Sequence, residues 1–196
     1  ILDGAAASGA DLGQTADLVT NVMSSFRLEA TDTAQIVQTM SNAAASSPAS
    51  MAEMGQALQG VGGIASTLGI GLDQTSAILA IFAQNGLRGS EAGTQLRSML
   101  RQMTSDAPPV QRAWRELGVN LFDTQGNMRD LNTVMQELDS ALGALPVEDQ
   151  NRLMQDLAGS YGIVGLSALR AGTSIDQMAT TMAGQADVAT IAQTQM

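Results

Sequence analysis

The sequence predicts a mainly α-helical protein, a multi-helix globular array of short helical hairpins with one small β-hairpin near residues 119–129. Apolar residues recur every three or four positions through most of the chain, which is typical of helices with one buried face. Glycine and proline interrupt this pattern often, so we expect helices of about 10 to 18 residues that fold back on one another. Only 3 % of the residues are aromatic, so Leu, Ile, Val, Met and Ala must fill the core.

Apolar stripes and capping signals define the expected helices. The stripes occupy residues 18–26, 36–40, 58–68, 78–82, 96–103, 110–117, 131–145, 153–157, 163–169 and 175–182. In a capping box, a polar first residue and a Gln or Glu three positions later bond each other's backbone N–H groups. This pattern marks helix starts at 11–14, 50–53 and 174–177, and residues 71–74 show it with the weaker glycine cap.

Proline and glycine set further helix limits. Pro108 and Pro146 are expected to open helices, because proline is tolerated in the first turn. The glycines expected to end helices are Gly86, Gly118, Gly159 and Gly172. Residues 60–71 hold five glycines, which is dense for a helical region. This density predicts either a broken helix with close helix–helix contacts or a segment that bends when the protein assembles.

We divide the chain into two regions. Residues 1–106 are interpreted as a helical hairpin region with a weak internal duplication, in which 11–40 corresponds to 71–100. Four of the thirty positions in these windows are identical, and apolar positions also coincide. Residues 107–196 are expected to hold helices flanking the β-hairpin and to pack as one unit with the first region. We expect a segment of a longer polypeptide, because no Met opens the sequence, and no signal peptide pattern is present.

Composition restricts the chemistry that this chain can perform. Its 196 residues include no Cys and no His, and all nine basic residues are Arg. These absences exclude Ser-His-Asp and Cys-His nucleophiles, zinc sites with His or Cys ligands, and catalytic or phosphate-binding lysines. Carboxylate chemistry is what remains.

Charge and hydropathy also disfavour two classes of binding partner. The formal net charge of −10 opposes binding to a phosphate backbone, which requires clustered cations. Arg97 with Arg101, and Arg112 with Arg115, could form only a small basic face. The most apolar region, 58–82, is interrupted by polar residues throughout. Its uninterrupted apolar stretches are shorter than the roughly 20 residues that a membrane span requires. We therefore expect no specific nucleic-acid binding and no membrane helix.

The stretch 119–130 interrupts the helical pattern, and a metal loop is its first interpretation. A calcium loop of the EF-hand type starting at Asp123 would need Gly at position six and Glu at position twelve. The chain has Met128 and Val134 at those positions. The sequence therefore predicts no metal site.

Catalysis is the second interpretation of this stretch. Without His, Glu116 paired with Asp123 or Asp130 would have to act as acid and base. A chain with 19 acidic residues contains many such pairs, and solvated turn carboxylates explain these residues more simply. We predict no catalytic residues and no cofactor-binding residues.

A β-hairpin is the third interpretation, and it accounts for every residue of the stretch. Residues 119–122 alternate in polarity, Asp123 suits the first position of a turn, and Gly126 supplies a positive φ. Because a two-stranded hairpin is barely stable alone, Leu121 or Phe122 must pack on the helices. Asp130 would then cap the next helix.

Two sequence blocks resemble phage tail tape measure proteins of the TP901-1 type. Residues 117–131 read L-G-V-x-x-F-D-x-x-G-N-x-R-x-L, and residues 85–97 read N-G-x-x-G-S-E-A-G-T-x-L-R. The resemblance covers about residues 10 to 180. At 158–162 the chain reads A-G-S-Y-G and lacks the Phe of the family's F-G-x-x-A-like segment.

The resemblance implies a structural component of a bacteriophage tail with no enzyme activity and no cofactor. Such proteins lie in the tail lumen or at the tail tip of the virion, set tail length during assembly, and leave ahead of the genome. They are made in the bacterial host cytoplasm. The implied partners are other copies of the chain, as a trimer, and the tail tube, assembly chaperone and tail-tip or baseplate proteins. Contact with the host membrane is expected only through other parts of the protein.

Two alternatives from other classes stay open. The chain could be a peptidoglycan-cleaving segment of a tail protein that uses Glu91, Glu116 or Asp123. It could also be a generic helical scaffold that binds partner proteins outside any virion. The short, interrupted helices predict a globular segment, with an extended measuring helix elsewhere in the polypeptide.

Overall fold

The computed structural model of the chain describes residues 12–185 and confirms that the protein is mainly α-helical. Within that range it contains nine α-helices, one 3-10 turn at Ala30–Asp32 and no β-strand. The helices are α1 (Leu12–Phe26), α2 (Thr33–Ala45), α3 (Met51–Thr67), α4 (Leu72–Gln84), α5 (Gly89–Met103), α6 (Pro108–Leu117), α7 (Leu131–Gly143), α8 (Val147–Leu169) and α9 (Ile175–Ala183). The windows 11–40 and 71–100 each include two helices, and their common origin stays a prediction.

Two of the predicted capping boxes are confirmed. At the start of α3, the Ser50 hydroxyl accepts the Glu53 N–H (3.2 Å) and the Glu53 carboxylate accepts the Ser50 N–H (2.8 Å). Ser174 and Gln177 form the same reciprocal pair at the start of α9. The box at 71–74 does not close, because the Gln74 side chain donates to a distant carboxylate instead. The box at 11–14 begins outside the described residues.

Four helices lie side by side in the order α1, α3, α5, α8. A glycine occupies each contact between neighbours in this layer. Gly62 of α3 faces the Phe26 ring of α1, Gly93 of α5 faces the α3 backbone, and Gly162 of α8 faces the α5 backbone. Small residues at these positions let the helix axes approach closely, so their neighbours pack without gaps.

The glycine-rich region 60–71 shows both expected features, close helix–helix contact and a helix break. The contact is present, since Gly60 and Gly62 both lie against neighbouring helices. The break lies at the end of the region, because α3 continues without interruption to Thr67. The chain breaks only after that residue, where Gly69 adopts a φ of 77°. Packing on both flanks compensates the low helix propensity of the internal glycines.

Helix α4 forms the centre of the fold. It contacts α2, α3, α5, α8 and α9, and every residue from Thr75 to Ala83 is buried. The Phe82 ring is fully buried and lies against Gly165 of α8. No helix within residues 12–185 has the length and apolarity needed to cross a membrane.

The predicted β-hairpin near 119–129 is wrong as a pair of strands. A single antiparallel bridge joins Phe122 to Met128, and no strand occurs anywhere between residues 12 and 185. The pairing cannot extend on the return side, because Asp130 already caps α7. It cannot extend on the outgoing side either, since the Val119 N–H donates to the Trp114 carbonyl and closes α6.

Gly159 ends the first half of α8, as predicted, and a second helical half follows at once across a kink. Its φ of 65° and ψ of 178° interrupt α8 between two helical halves. The kink frees backbone carbonyls, and the Gln102 side chain of α5 donates to one of them, that of Asp156 (3.1 Å). A satisfied carbonyl explains how the kink persists against a packed neighbour.

Candidate functional site

The connection between α6 and α7, residues 118–130, is the main non-helical segment of the described chain, and Trp114 anchors its beginning. The indole N–H of Trp114 donates to the Met103 carbonyl at the end of α5 (3.0 Å). Pro108 opens α6 as predicted, and Gly118 ends it in the left-handed conformation. The first half of the connection is thus fixed to both α5 and α6.

Asp123 organises the turn at the tip of the connection. Its Oδ1 accepts the N–H groups of Gln125 (2.9 Å) and Asn127 (2.8 Å). The hydrogen bond from the Asn127 N–H does most to lower the pKa of Asp123, and that from Gln125 adds to it. Both lower the pKa because they favour the charged carboxylate. Gly126 supplies the positive φ, at 84°, that the sequence predicted. Asp123 is therefore a turn residue whose oxygens are already engaged.

Arg129 attaches the returning arm of the connection to α7. Its guanidinium binds Glu137 in a bidentate ion pair (2.6 and 2.9 Å) and also donates to the Asn120 carbonyl (2.7 Å). The hydrogen bonds from Arg129 lower the pKa of Glu137, and the same pairing raises the pKa of Arg129. A planar guanidinium suits this role because it bonds a carboxylate and a carbonyl at once.

Asp130 caps α7, as predicted, and also ties that helix to the fold centre. Its Oδ1 accepts the backbone N–H of Thr133 (2.9 Å), and its Oδ2 accepts the side-chain amide of Gln74 on α4 (2.9 Å). Partial burial raises the pKa of Asp130, but the hydrogen bonds from Thr133 and Gln74 outweigh it and leave the pKa lowered. The Gln74 contact spans 56 residues of sequence.

The carboxylates considered for catalysis are not brought together as an acid–base pair. Glu116 is paired with Arg152 of α8 (2.6 Å), while Asp123 and Asp130 accept hydrogen bonds in a turn and at a cap. Glu91 lies exposed in the first turn of α5. No three acidic side chains in the described part of the chain are grouped so that they could hold a metal ion.

Sequence reasoning missed the residues that hold this region in place. Arg152 of α8 binds Glu116 of α6 and Asp149 of its own helix, and these hydrogen bonds raise the pKa of Arg152. Arg170 of α8 binds Asp139 of α7. The partners in the Arg152–Glu116 and Arg170–Asp139 pairs are 36 and 31 residues apart in the sequence. No short-range spacing therefore indicates either pair.

Surface concavities converge on the start of the connection. Gly118 lines three of them. One is a groove of about 440 Å³ whose lining includes Trp114, Arg115 and Phe122. The Phe122 side chain projects beside it with 41 % of its surface exposed. The region therefore offers shape and exposed apolar surface rather than a cluster of reactive groups.

In the part of the chain that the structure describes, these polar side chains close turns, cap helices and form ion pairs within the fold itself. The comparisons with known proteins identify the family. Residues 1–159 match the family model described as "Phage-related minor tail protein", and the chain belongs to this family.

Two relatives carry related names. The chain is 32 % identical over 169 residues to "Tape measure protein" of Pneumococcus phage Dp-1, an alignment covering 86 % of this chain and 15 % of that protein. It is 27 % identical over 182 residues to "Probable tape measure protein" of Escherichia phage P2, covering 90 % of this chain and 22 % of that protein. The chain thus spans less than a quarter of either relative. No solved structure matches it.

Proposed function

We propose that this chain is a folded structural segment of a phage tail tape measure protein and performs no catalysis. The family match over residues 1–159 carries this proposal, and the two relatives named as tape measure proteins support it. The finer assignment to the TP901-1 type rests on the sequence blocks 85–97 and 117–131.

The segment contributes a compact body and little length. As one continuous helix, 196 residues would extend about 290 Å at about 1.5 Å per residue. The chain instead folds back repeatedly, and a helix such as α3, with 17 residues, extends about 25 Å. The extended measuring part of the protein lies outside this segment. The body serves to position that part during tail assembly and during genome delivery.

The location and the partners of this folded body follow from the same proposed role. It lies in the tail lumen or at the tail tip of the virion, after synthesis in the host cytoplasm. Its partners are other copies of itself, as a trimer, and the tail tube, assembly chaperone and tail-tip or baseplate proteins. The net charge of −10 repels a DNA genome that must pass through the same channel.

A tail-assembly experiment tests this proposal. Gly93→Leu in the phage that encodes the chain should unfold the body, because a side chain at 93 meets the α3 backbone. Electron microscopy of lysates should then show few or no complete tails. The matched variant Gly63→Ala, on the open face of α3, should give normal tails. Normal tails with Gly93→Leu, when the purified variant chain is unfolded by circular dichroism, would overturn the proposal.

The peptidoglycan-cleaving alternative has less support, because Arg152 already occupies the Glu116 carboxylate. A cell-wall clearing assay with the purified chain distinguishes the two functions. We expect no clearing above buffer for the wild type or for Glu116→Gln. Clearing by the wild type that Glu116→Gln abolishes would replace the structural proposal with an enzymatic one.

A further inference from the structure

A small cavity lies where α7 meets the end of α8 and the start of α9. Its volume is about 190 Å³, and its floor is formed by three buried apolar side chains, those of Met135, Leu169 and Ile175. A cavity of about 150 Å³ is already large enough to bind benzene. The thioether of a methionine also makes favourable contacts with aromatic rings. The cavity therefore has the size and the lining to take one aromatic side chain.

Two residues that line this cavity each keep a polar atom without a partner among the described residues. The Asn132 amide donates an N–H to Asp176, but its carbonyl oxygen accepts no hydrogen bond, although only 4 % of the residue is exposed. The Arg170 guanidinium uses Nε for Asp139 and Nη1 for the Met154 sulfur, which leaves Nη2 free to donate. A free acceptor and a free donor together suit a hydroxyl group, which can both donate and accept.

Tyr161, in the second half of α8, is the one tyrosine of the chain. Its side chain is 75 % exposed, and its hydroxyl forms no hydrogen bond with any described residue. Its neighbours in the sequence are Ser160 and Gly162, small residues that let another surface come close to the ring. Val164, three positions further along and so on the same side of the helix, is exposed as well. The second half of α8 therefore presents a projecting aromatic ring that carries a hydroxyl.

Tyr161 cannot fill the cavity of its own chain. Leu169, at the floor of the cavity, lies eight positions further along the same helix, which corresponds to about 12 Å. Side chains on a helix also tilt toward the helix N-terminus, so the Tyr161 ring is directed away from the end of α8. A ring and a cavity that suit each other but cannot meet within one chain can meet between two copies.

We propose that the cavity binds the Tyr161 ring of a second copy of this chain. The ring lies on the apolar floor, and its hydroxyl donates to the Asn132 carbonyl oxygen and accepts from Arg170 Nη2. Each copy offers one ring and one cavity, so the contact is head-to-tail and can close into an assembly in which every cavity is filled. The inference deepens the proposed function by naming the surface through which copies meet, and it rests on that function for the presence of several copies in one tail.

The local charges favour a contact between copies at this place, despite the net charge of −10 on each chain. The lining of the cavity includes one acid and one base, Asp139 and Arg170, and these form an ion pair. Residues 157–169, which surround the projecting ring in the sequence, include no charged residue. The contact therefore brings no unpaired like charges together. Added salt should strengthen it, because salt screens the remaining repulsion between the two copies.

Sedimentation of the 196-residue chain over a range of concentrations tests the proposal. Tyr161→Ala removes the ring, and Gln136→Trp places a bulky side chain at the rim of the cavity. Val147→Ala is the matched control, because it removes another strongly exposed apolar side chain that lies outside the cavity. All three positions are exposed, so circular dichroism should show that the variants fold like the wild type. The NMR signal of the Met135 methyl group reports on the floor of the cavity.

We expect the wild type to associate reversibly, and more strongly at about 0.5 M than at about 0.05 M salt. Tyr161→Ala and Gln136→Trp should each weaken the association at least about tenfold. Tyr161→Phe should weaken it about threefold to tenfold, because only the hydrogen bonds of the hydroxyl are lost. Val147→Ala should leave the association unchanged.

A mixture of two variants gives the sharpest expectation. Tyr161→Ala keeps the cavity and Gln136→Trp keeps the ring, so an equimolar mixture should form one-to-one pairs and nothing larger. The Met135 signal of the Tyr161→Ala chain should shift in this mixture and stay in place when that variant is alone, because a ring enters its cavity only in the mixture.

Any of four results would overturn the inference. The first is a wild type that stays monomeric up to about 1 mM. The second is association of Tyr161→Ala as strong as that of the wild type. The third is a loss with Val147→Ala as large as that with Tyr161→Ala, which would indicate nonspecific apolar association. The fourth is a mixture that stays monomeric or leaves the Met135 signal unmoved. The tail-assembly test uses other variants and another measurement, so its failure and the failure of this contact are distinguishable.

Discussion

Gly93 of α5 lies against Ala57 of α3 so closely that a Cβ atom at position 93 would stand 2.5 Å from the Ala57 carbonyl oxygen. The neighbour is backbone in the middle of a helix, so it cannot move aside as a flexible side chain would. On the α3 side of the same crossing, a Cβ atom added to Gly60 would stand 3.6 Å from the Cα atom of Gly93. This crossing sets the spacing at the centre of the helical layer.

Gly93→Ala should therefore destabilise the fold even though alanine is the better helix former. We expect a loss of about 1–3 kcal/mol in the free energy of unfolding, from overpacking against α3. Gly63→Ala is the matched control, because no atom lies near a Cβ at that helical position. It should stabilise the protein by about 0.5–1 kcal/mol through helix propensity. Urea unfolding followed by circular dichroism measures both, and equal effects would contradict the crossing.

Gly126 supports a second prediction, in which the cost is conformational and not steric. Its φ is 84°, and no atom lies within 4 Å of a Cβ placed there. Gly126→Ala should cost about 1 kcal/mol, because a left-handed conformation is strained for alanine. Gly126→Asn should cost less, since asparagine tolerates that conformation. Equal thermal stability of the two variants and the wild type would show that the turn does not need a positive φ.

The lowered pKa of Asp130 predicts how stability depends on pH. A carboxyl group whose pKa falls on folding contributes stability above its ordinary value, 3.8 for Asp130, and loses it as the pH falls through the folded value. Asp123 and Glu137 act in the same direction. The free energy of unfolding should therefore stay level from neutrality to about pH 5 and decline as the pH falls further, through and below the ordinary values of these carboxyl groups.

Asp130→Asn separates this titration from the capping role. Asparagine caps a helix about as well as aspartate, so the variant should keep most of its stability at neutral pH and show a flatter acid decline. Asp130→Ala should lose stability at every pH by up to about 1 kcal/mol, because the cap itself is removed. A decline as steep in Asp130→Asn as in the wild type would show that Asp130 does not contribute to it.

Local signals were predictable because they act over a few residues. The capping boxes at Ser50 and Ser174, the start of α6 at Pro108 and the end of that helix at Gly118 all follow from backbone groups that need a nearby partner. The identity of the turn residues Asp123 and Gly126 was predictable for the same reason.

Long-range contacts were not predictable from the sequence. Gln74 fits a capping box by spacing, yet it bonds Asp130, which lies 56 residues away. Glu116 was a candidate catalytic acid by sequence, but the fold pairs its carboxylate with Arg152. The hairpin prediction failed because alternation over 119–122 indicates an extended segment but does not show how many residues its partner arm can supply.

The central claim, that this folded body is a structural part of a phage tail, is tested most directly by the protein content of purified tails. Tail particles of the phage that encodes the chain should be separated from free protein and analysed by mass spectrometry. We predict peptides from residues 12–185 in these particles, at a constant ratio to the tail tube protein across fractions. Complete tails that lack these peptides would contradict the claim.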